Sequence, residues 1–137
     1  RKFIFTPHMK EMSRLTGIPV EDLREDRIQI LKKFADGYQV TCVLKDSRTL
    51  IADKANEICL NLTGNSAMQK PVREMCWPVW IAGFMVQEKD TKKAARLGTY
   101  VHGLAGDLAK FEKGVYSVMA RDLIEYISKA LMKLEDE

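Results

Sequence analysis

Thr6-Pro7-His8 closes a short apolar run near the start of the chain. An imidazole at the end of a strand can hydrogen-bond a substrate amide or hydroxyl, and open α/β sheets place their ligands there. Lys45-Asp46-Ser47-Arg48-Thr49, the densest polar cluster in the chain, follows a β-branched run. Lysine, hydroxyls and backbone N–H groups converging at a strand end suit the phosphates and sugar of a nucleotide. Asn61-Leu62-Thr63-Gly64-Asn65 ends another such run, with a glycine that permits a sharp turn and two asparagines able to fix a loop or a ligand. Tyr100-Val101-His102-Gly103-Leu104-Ala105-Gly106-Asp107 lies in a helical pattern. Its small residues suit close helix packing. Taken singly, each stretch also has an ordinary reading: a solvated loop histidine, a polar turn, a structural loop, a core histidine at His102. No Walker loop, Gly-x-Gly-x-x-Gly or Ser-His-Asp order accompanies them.

Elements must position these groups. Phe3 to Phe5 reads as a short buried strand stopped by Pro7, and Met9, Met12 and Leu15 have helical spacing up to a stop at Gly17. Pro19 opens a second helix, with Glu21 and Asp22 in its first turn and a stripe of Leu23, Ile30, Leu31 and Phe34, ending by Gly37. Strands are predicted at Val40 to Leu44, Leu50 to Ala52 and Ile58 to Leu62. Their short links require antiparallel pairing. Helices follow at about 80–88, from Thr91 (N-cap Asp90) to about Lys110, and from about Ala120 to Leu134. The last carries Leu123, Ile124, Ile127, Leu131 and Leu134 on one stripe. This order of elements argues α/β.

Composition narrows the classes. A net charge of +3, with bases and acids interspersed and no basic run interleaved with aromatics, argues against nucleic acid as a partner. No apolar stretch approaches the roughly 20 residues of a membrane span and no signal peptide opens the chain, so it reads as cytoplasmic. Cys42, Cys59 and Cys76 are odd in number and widely spaced, which disfavours zinc, and Cys42 and Cys59, inside apolar strand-like runs, read as reduced core thiols. The chain opens directly on an apolar β-run, as a domain cut partway through would.

In order, Thr6-Pro7-His8, Leu44-Lys45-Asp46-Ser47-Arg48-Thr49, Asn61-Leu62-Thr63-Gly64-Asn65 and the Tyr100–Asp107 stretch resemble the C-terminal half of the ADP-dependent (S)-NAD(P)H-hydrate dehydratase family. The resemblance runs from Phe3 to about Leu134. It implies the C-terminal half of a ribokinase-like, three-layer α/β/α fold with a mostly parallel sheet. It implies a repair reaction, in which a hydroxyl on a hydrated nicotinamide ring is phosphorylated from ADP (ATP in eukaryotes) and eliminated as phosphate. Mg2+ is the expected companion of the nucleotide, and a homo-oligomer is left open. By the same resemblance His8 contacts substrate, Lys45 to Thr49 bind adenine nucleotide, and the family's N-terminal half is absent.

One segment departs from the family. After the Asn-x-Thr-Gly-Asn motif the family continues Ala-Lys-x-Gly-Ser/Thr-Gly-Asp-Val-Leu-Ala/Thr-Gly. There, glycine N–H groups at a helix start hold the transferring phosphoryl group and the aspartate takes the hydroxyl proton. Here residues 69–80 read Gln-Lys-Pro-Val-Arg-Glu-Met-Cys-Trp-Pro-Val-Trp, which puts Glu74 on the last glycine and Met75 on the aspartate. No catalytic residue is therefore expected to be retained. Regrouping the codons one base earlier forces alanine from Met68-Gln69, valine from Met75-Cys76, leucine from Cys76-Trp77 and alanine from Trp77-Pro78. Permitted codon choices complete Ala-Lys-Ala-Gly-Ser-Gly-Asp-Val-Leu-Ala-Gly-Met. Residues 69–80 thus read as a frame-shifted segment, with a base lost near codon 69 and one gained near codon 80. Pro78 there is hostile to a helix. Two other readings stay open: a non-catalytic remnant with residual nucleotide binding, and another ribokinase-like small-molecule kinase.

Overall fold

Alternation of side chains along the strands decides the layers. In the computed structural model, which describes residues 2–65, 68 and 77–135, β1 (Ile4–Phe5), β2 (Thr41–Leu44), β3 (Leu50–Ala52) and β4 (Ile58–Leu60) form one sheet in the order β1-β2-β3-β4. Registers Cys42↔Ala52 and Leu44↔Leu50 place one set of side chains on the same face, and Val43↔Ile51 places the next pair on the other. The first face packs on Met9, Met12, Leu23, Leu31 and Phe34 of α1 (Met9–Thr16), α2 (Val20–Glu25) and α3 (Arg27–Tyr38). The second packs on Ile81 and Ala95 of α4 (Trp77–Gln87) and α5 (Thr91–Lys113). With α6 (Ala120–Glu135) beside α5, the architecture is three-layered α/β/α. Each aliphatic side chain buried between layers contributes about 1.5–3 kcal/mol. No helix of the described residues is long and apolar enough to cross a membrane.

Several expectations change. β1 and β2 are parallel, and β2–β3 and β3–β4 are antiparallel as their short links require, so the described part of the sheet is mixed. β1 is an edge of the described sheet, and its neighbourhood is not buried as predicted: Phe3 is 52% and Phe5 38% exposed. The predicted second helix is two, α2 and α3, meeting at Asp26. Glu25 and Asp26 oppose the negative C-terminal end of α2, whereas Asp26 suits the positive N-terminal end of α3. Helix α3 runs through Gly37 and stops at Gln39, which adopts φ 53 and bonds its N–H to Ala35 and Asp36 carbonyls. β4 ends at Leu60 rather than Leu62.

Helix α4 begins at Trp77, earlier than predicted, with Pro78 in its first turn. A first-turn amide has no intrahelical partner to lose, so proline is tolerated there. Trp80 packs against the α5–α6 core. On α1, Leu15 turns outward at 46% exposure, and on α6 Ile124 does so at 58%. The buried row of α6 is Leu123, Tyr126, Ile127 and Ala130. Cys42 lies fully in the core, where burial pushes its thiol up to about 12. Cys59 is only half-buried, and Cys76 lies outside the described residues.

Charged groups fasten α5 to α6. Asp122 accepts from Lys113 Nζ at 2.7 Å and from the Met119 N–H at 2.7 Å, contacts that hold its carboxyl below the usual carboxylate range. Glu112 accepts from Lys129 and from the Tyr126 hydroxyl, which likewise lower its carboxyl.

Candidate functional site

Parallel pairing brings the ends of β1 and β2 together. The Lys45 N–H donates to the Pro7 carbonyl at 2.8 Å, and His8 and Lys45 form a parallel bridge one step beyond the strands. His8 is also the N-cap of α1. Its Nδ1 accepts from the Glu11 N–H at 3.1 Å, while the His8 N–H donates to Glu11 Oε2 at 2.8 Å, a reciprocal capping box. Accepting at Nδ1 fixes the neutral tautomer, with its proton on Nε2. That Nε2 lies 3.5 Å from Glu11 Oε1, too far for a strong hydrogen bond, and the side chain is 41% exposed. The imidazole is thus a donor with a free face.

His8, Lys45, Asp46 and Ser47 line one cleft of about 420 Å³, together with Met9, Lys10, Val20 and Arg24. Asp46 is neutralised by Arg27, Nη1 to Oδ2 at 3.0 Å. The predicted nucleotide stretch divides beyond Ser47. Arg48 Nη1 donates to the Leu62 carbonyl at 3.3 Å, and Thr49, 5% exposed, accepts the Asn61 N–H at its carbonyl at 2.9 Å. Arg48 and Thr49 therefore join the β4 side and do not line the cleft. Lys10 and Arg24 were not singled out from sequence. Their only signal was a basic residue two positions after His8 and another on the exposed side of α2.

The loop after β4 is clasped to α5. Thr63 Oγ1 donates to Asn61 Oδ1 at 3.0 Å and also lies 3.1 Å from the Tyr100 carbonyl. The Gly64 N–H donates to Asp107 Oδ2 at 2.9 Å, and Asn65 Nδ2 to Asp107 Oδ1 at 2.7 Å. Gly64 sits at φ 99, a conformation glycine adopts cheaply. A Cβ on Gly103 would lie 2.1 Å from Thr63 Oγ1, and one on Gly106 2.0 Å from Met68 Sδ. Small residues in this helix admit the loop, and His102 is fully buried within it. Asp107, the anchor of the loop, was visible in sequence only as an acid beside a Gly-rich turn of helix.

Glu74 and Met75, on which the loss of the base and of the phosphoryl-binding glycine was read, lie outside the described residues, as does 69–76 as a whole. Among the described residues, no group of three or more His, Cys, Asp or Glu side chains is placed to hold a metal ion.

Comparison with known proteins bears on this cleft. A family model described as NAD(P)H-hydrate dehydratase matches residues 1–129. The bifunctional NAD(P)H-hydrate repair enzyme of Moorella thermoacetica is 37% identical over 98% of the chain and 25% of its own length. The ADP-dependent (S)-NAD(P)H-hydrate dehydratase of Bacillus subtilis is 31% identical over 96% of the chain and 48% of its own length. A crystal structure of the ADP/ATP-dependent dehydratase of B. subtilis, co-crystallised with ATP and Mg2+, superposes with a TM-score of 0.90 at 29% identity, over 97% of this chain and 50% of that one. A ribokinase-like protein of Enterococcus faecalis superposes at 0.70 with 29% identity, over 93% of this chain and 44% of that one. The chain thus spans about half the length of the B. subtilis relative and a quarter of the bifunctional one.

Proposed function

The chain belongs to the NAD(P)H-hydrate dehydratase family, and from that premise we propose that residues 1–137 are one half of a cytoplasmic, nucleotide-dependent dehydratase domain whose cleft takes NAD(P)H-hydrate and ADP or ATP. In the reaction, the ring hydroxyl oxygen attacks the terminal phosphoryl group of the nucleotide. A new P–O bond forms, the bond to the leaving nucleotide breaks, and the hydroxyl proton passes to a base. Phosphate then departs with the electrons of the C–O bond, the neighbouring carbon gives up a proton, and the ring double bond is restored.

Within that chemistry this chain supplies binding groups. His8 donates from Nε2 to the dinucleotide substrate. Lys45 and Ser47 face the nucleotide's phosphates and ribose, Asp46 positions Arg27, and Arg48 with Thr49 fix the strand that carries them. The observation that carries this reading is the placement of His8 against Lys45 at the carboxyl ends of two parallel strands, on one cleft. Mg2+ accompanies ATP in the B. subtilis crystal structure, and here it would be held chiefly by the nucleotide's phosphates and water, as Mg2+ usually is.

We propose further that this chain does not turn over. Residues 69–80 are read as frame-shifted, so Met75 cannot take a proton and Glu74 repels phosphate. Losing a general base costs about 10²–10⁴-fold, and losing an anion-hole donor a further 10²–10³-fold. The test is paired. The 137-residue chain is assayed with ADP and hydrated NADH, beside a hybrid carrying Ala-Lys-Ala-Gly-Ser-Gly-Asp-Val-Leu-Ala-Gly-Met at 69–80 and the remainder of the B. subtilis enzyme. Expected are no turnover by the chain, turnover by the hybrid, weaker substrate binding for His8→Ala and weaker ADP binding for Lys45→Ala. Turnover by the unrepaired chain sinks the defect. A folded hybrid that phosphorylates only a simple alcohol replaces the dehydratase reading with a kinase.

A further inference from the structure

Three cations from three elements meet at the cleft of His8. Lys10 stands in the first turn of α1, Arg24 in the last turn of α2, and Lys45 just past the end of β2. Among the described residues none of the three side chains has an ion-pair or hydrogen-bond partner. Two acids beside them are already engaged, Asp46 with Arg27 at 3.0 Å and Glu11 with the N–H of His8 at 2.8 Å, while Glu21, Asp22 and Glu25 on the helix of Arg24 do not line the recess. A solvated surface face scatters its bases among acids, as most of this chain does. Here they converge on a recess of about 420 Å³ whose lining carboxylate, Asp46, is already paired with Arg27. Convergent like charges repel, and that repulsion is relieved by an anion carrying more than one negative charge.

We propose that Lys10 and Arg24, with Lys45, form a three-cation cradle for the phosphate groups of the ligand bound beside His8. The proposal rests on the reading of this cleft as the substrate and nucleotide site, and adds to it two residues from helices not otherwise engaged. Phosphate fits better than carboxylate because its several peripheral oxygens can face donors arriving from three directions. The phosphates could be those of the adenine nucleotide, the pyrophosphate of a dinucleotide, or a phosphate on its ribose.

Isothermal titration of the full chain with inorganic pyrophosphate, ADP, adenosine, NADH and NADPH tests the proposal. It uses the parent, Lys10→Gln, Arg24→Gln and the charge reversal Lys10→Glu. Both side chains are exposed, so thermal melts should match the parent and show that the variants fold. Each neutral substitution should weaken pyrophosphate and ADP about two- to fivefold, and more at low salt, with Lys10→Glu weaker still and adenosine unaffected. A loss confined to the NADPH-over-NADH preference supports the cradle and assigns it the ribose phosphate. An equal loss for pyrophosphate and ADP supports it and assigns it the diphosphate. Unchanged affinities and salt slopes in all three variants overturn the cradle. If Lys45→Ala still weakens ADP in that case, the cleft reading stands without it. If neither His8→Ala nor Lys45→Ala has an effect, the cleft reading falls as well. Absence of all binding at millimolar ligand overturns both.

Discussion

The clasp between the loop after β4 and α5 can be tested by adding one carbon atom. In Gly103→Ala the new Cβ would lie 2.1 Å from Thr63 Oγ1 and 2.7 Å from the Thr63 carbonyl carbon. Ordinary contact needs about 3.5 Å, so loop and helix must separate by roughly an ångström. The loop has little freedom to comply. It is held by Thr63 to Tyr100 at 3.1 Å, Gly64 to Asp107 at 2.9 Å and Asn65 to Asp107 at 2.7 Å. Overpacking of this kind costs about 1–3 kcal/mol, and a lost hydrogen bond to a carboxylate about 1.5–3. Alanine returns about 0.8–1 kcal/mol in helix propensity. The net is a loss of about 3 kcal/mol. At about 4 °C per kcal/mol for a chain of this length, Tm should fall by about 12 °C. Gly83 in α4 provides the control, since nothing lies within 4 Å of its Cβ position. Gly83→Ala should gain about 0.5–1 kcal/mol and raise Tm by about 2–4 °C. Thermal denaturation followed by circular dichroism reads both. If the two substitutions shift Tm in the same direction, the close approach of loop and helix is refuted.

Other outcomes follow from the same structure. Asp122 and Glu112 are held below their ordinary range by hydrogen bonds to Lys113 and the Met119 N–H, and to Lys129 and Tyr126. Their stabilising contribution is therefore complete above the unfolded carboxylate pKa of about 4 and is lost as pH falls through the lower folded values. Melts from pH 7 to 2.5 should show that acid limb. Asp122→Asn should cost about 1 kcal/mol at pH 7 and flatten the limb; an unchanged pH profile would contradict the assignment. Cys42, buried with its thiol pushed up to about 12, should resist alkylation at pH 8 in the native protein while half-buried Cys59 reacts. Peptide mapping after a timed iodoacetamide pulse distinguishes them, and equal labelling would mean that β2 opens freely.

Local rules carried the reading a long way. Gly17 stops α1 and Asp90 caps α5 because both act on their own helix ends. The antiparallel pairing of β2, β3 and β4 follows from link length alone. Facing was harder. The stripe on α6 was drawn through Ile124, yet the buried row passes through Tyr126 and Ala130, because α5 meets α6 on the adjacent side. Periodicity marks a helix as amphipathic but leaves a row or so of rotation to the partner. The cleft shows the same limit. His8 and Lys45 were legible as motifs, but Lys10 and Arg24 reach them only through the packing of α1 and α2 on the sheet. Nothing in the stretch 45–49 signalled that Arg48 and Thr49 turn toward β4 while Ser47 stays in the cleft.

The capping box also constrains what His8 can do. A histidine beside a substrate hydroxyl invites the role of general base, but its Nδ1 lone pair already accepts the Glu11 N–H. With Nδ1 engaged by the cap that starts α1, the imidazole presents Nε2 to the cleft as a donor. Asp46, the one carboxylate lining the cleft, is tied to Arg27. The described cleft therefore holds hydrogen-bond donors and cations, suited to ground-state binding of an anionic ligand, and offers no free carboxylate or imidazole nitrogen to accept the hydroxyl proton. That acceptor must come from elsewhere, and the position the family resemblance assigns to it carries Met75, whose thioether has no useful proton affinity. By the same resemblance, Glu74 beside it is proposed to stand where the family carries a glycine. On that proposal Met75→Asp alone would restore a base without the cradle, and the expected outcome is unchanged ADP binding with no gain of turnover until the whole 69–80 segment is replaced.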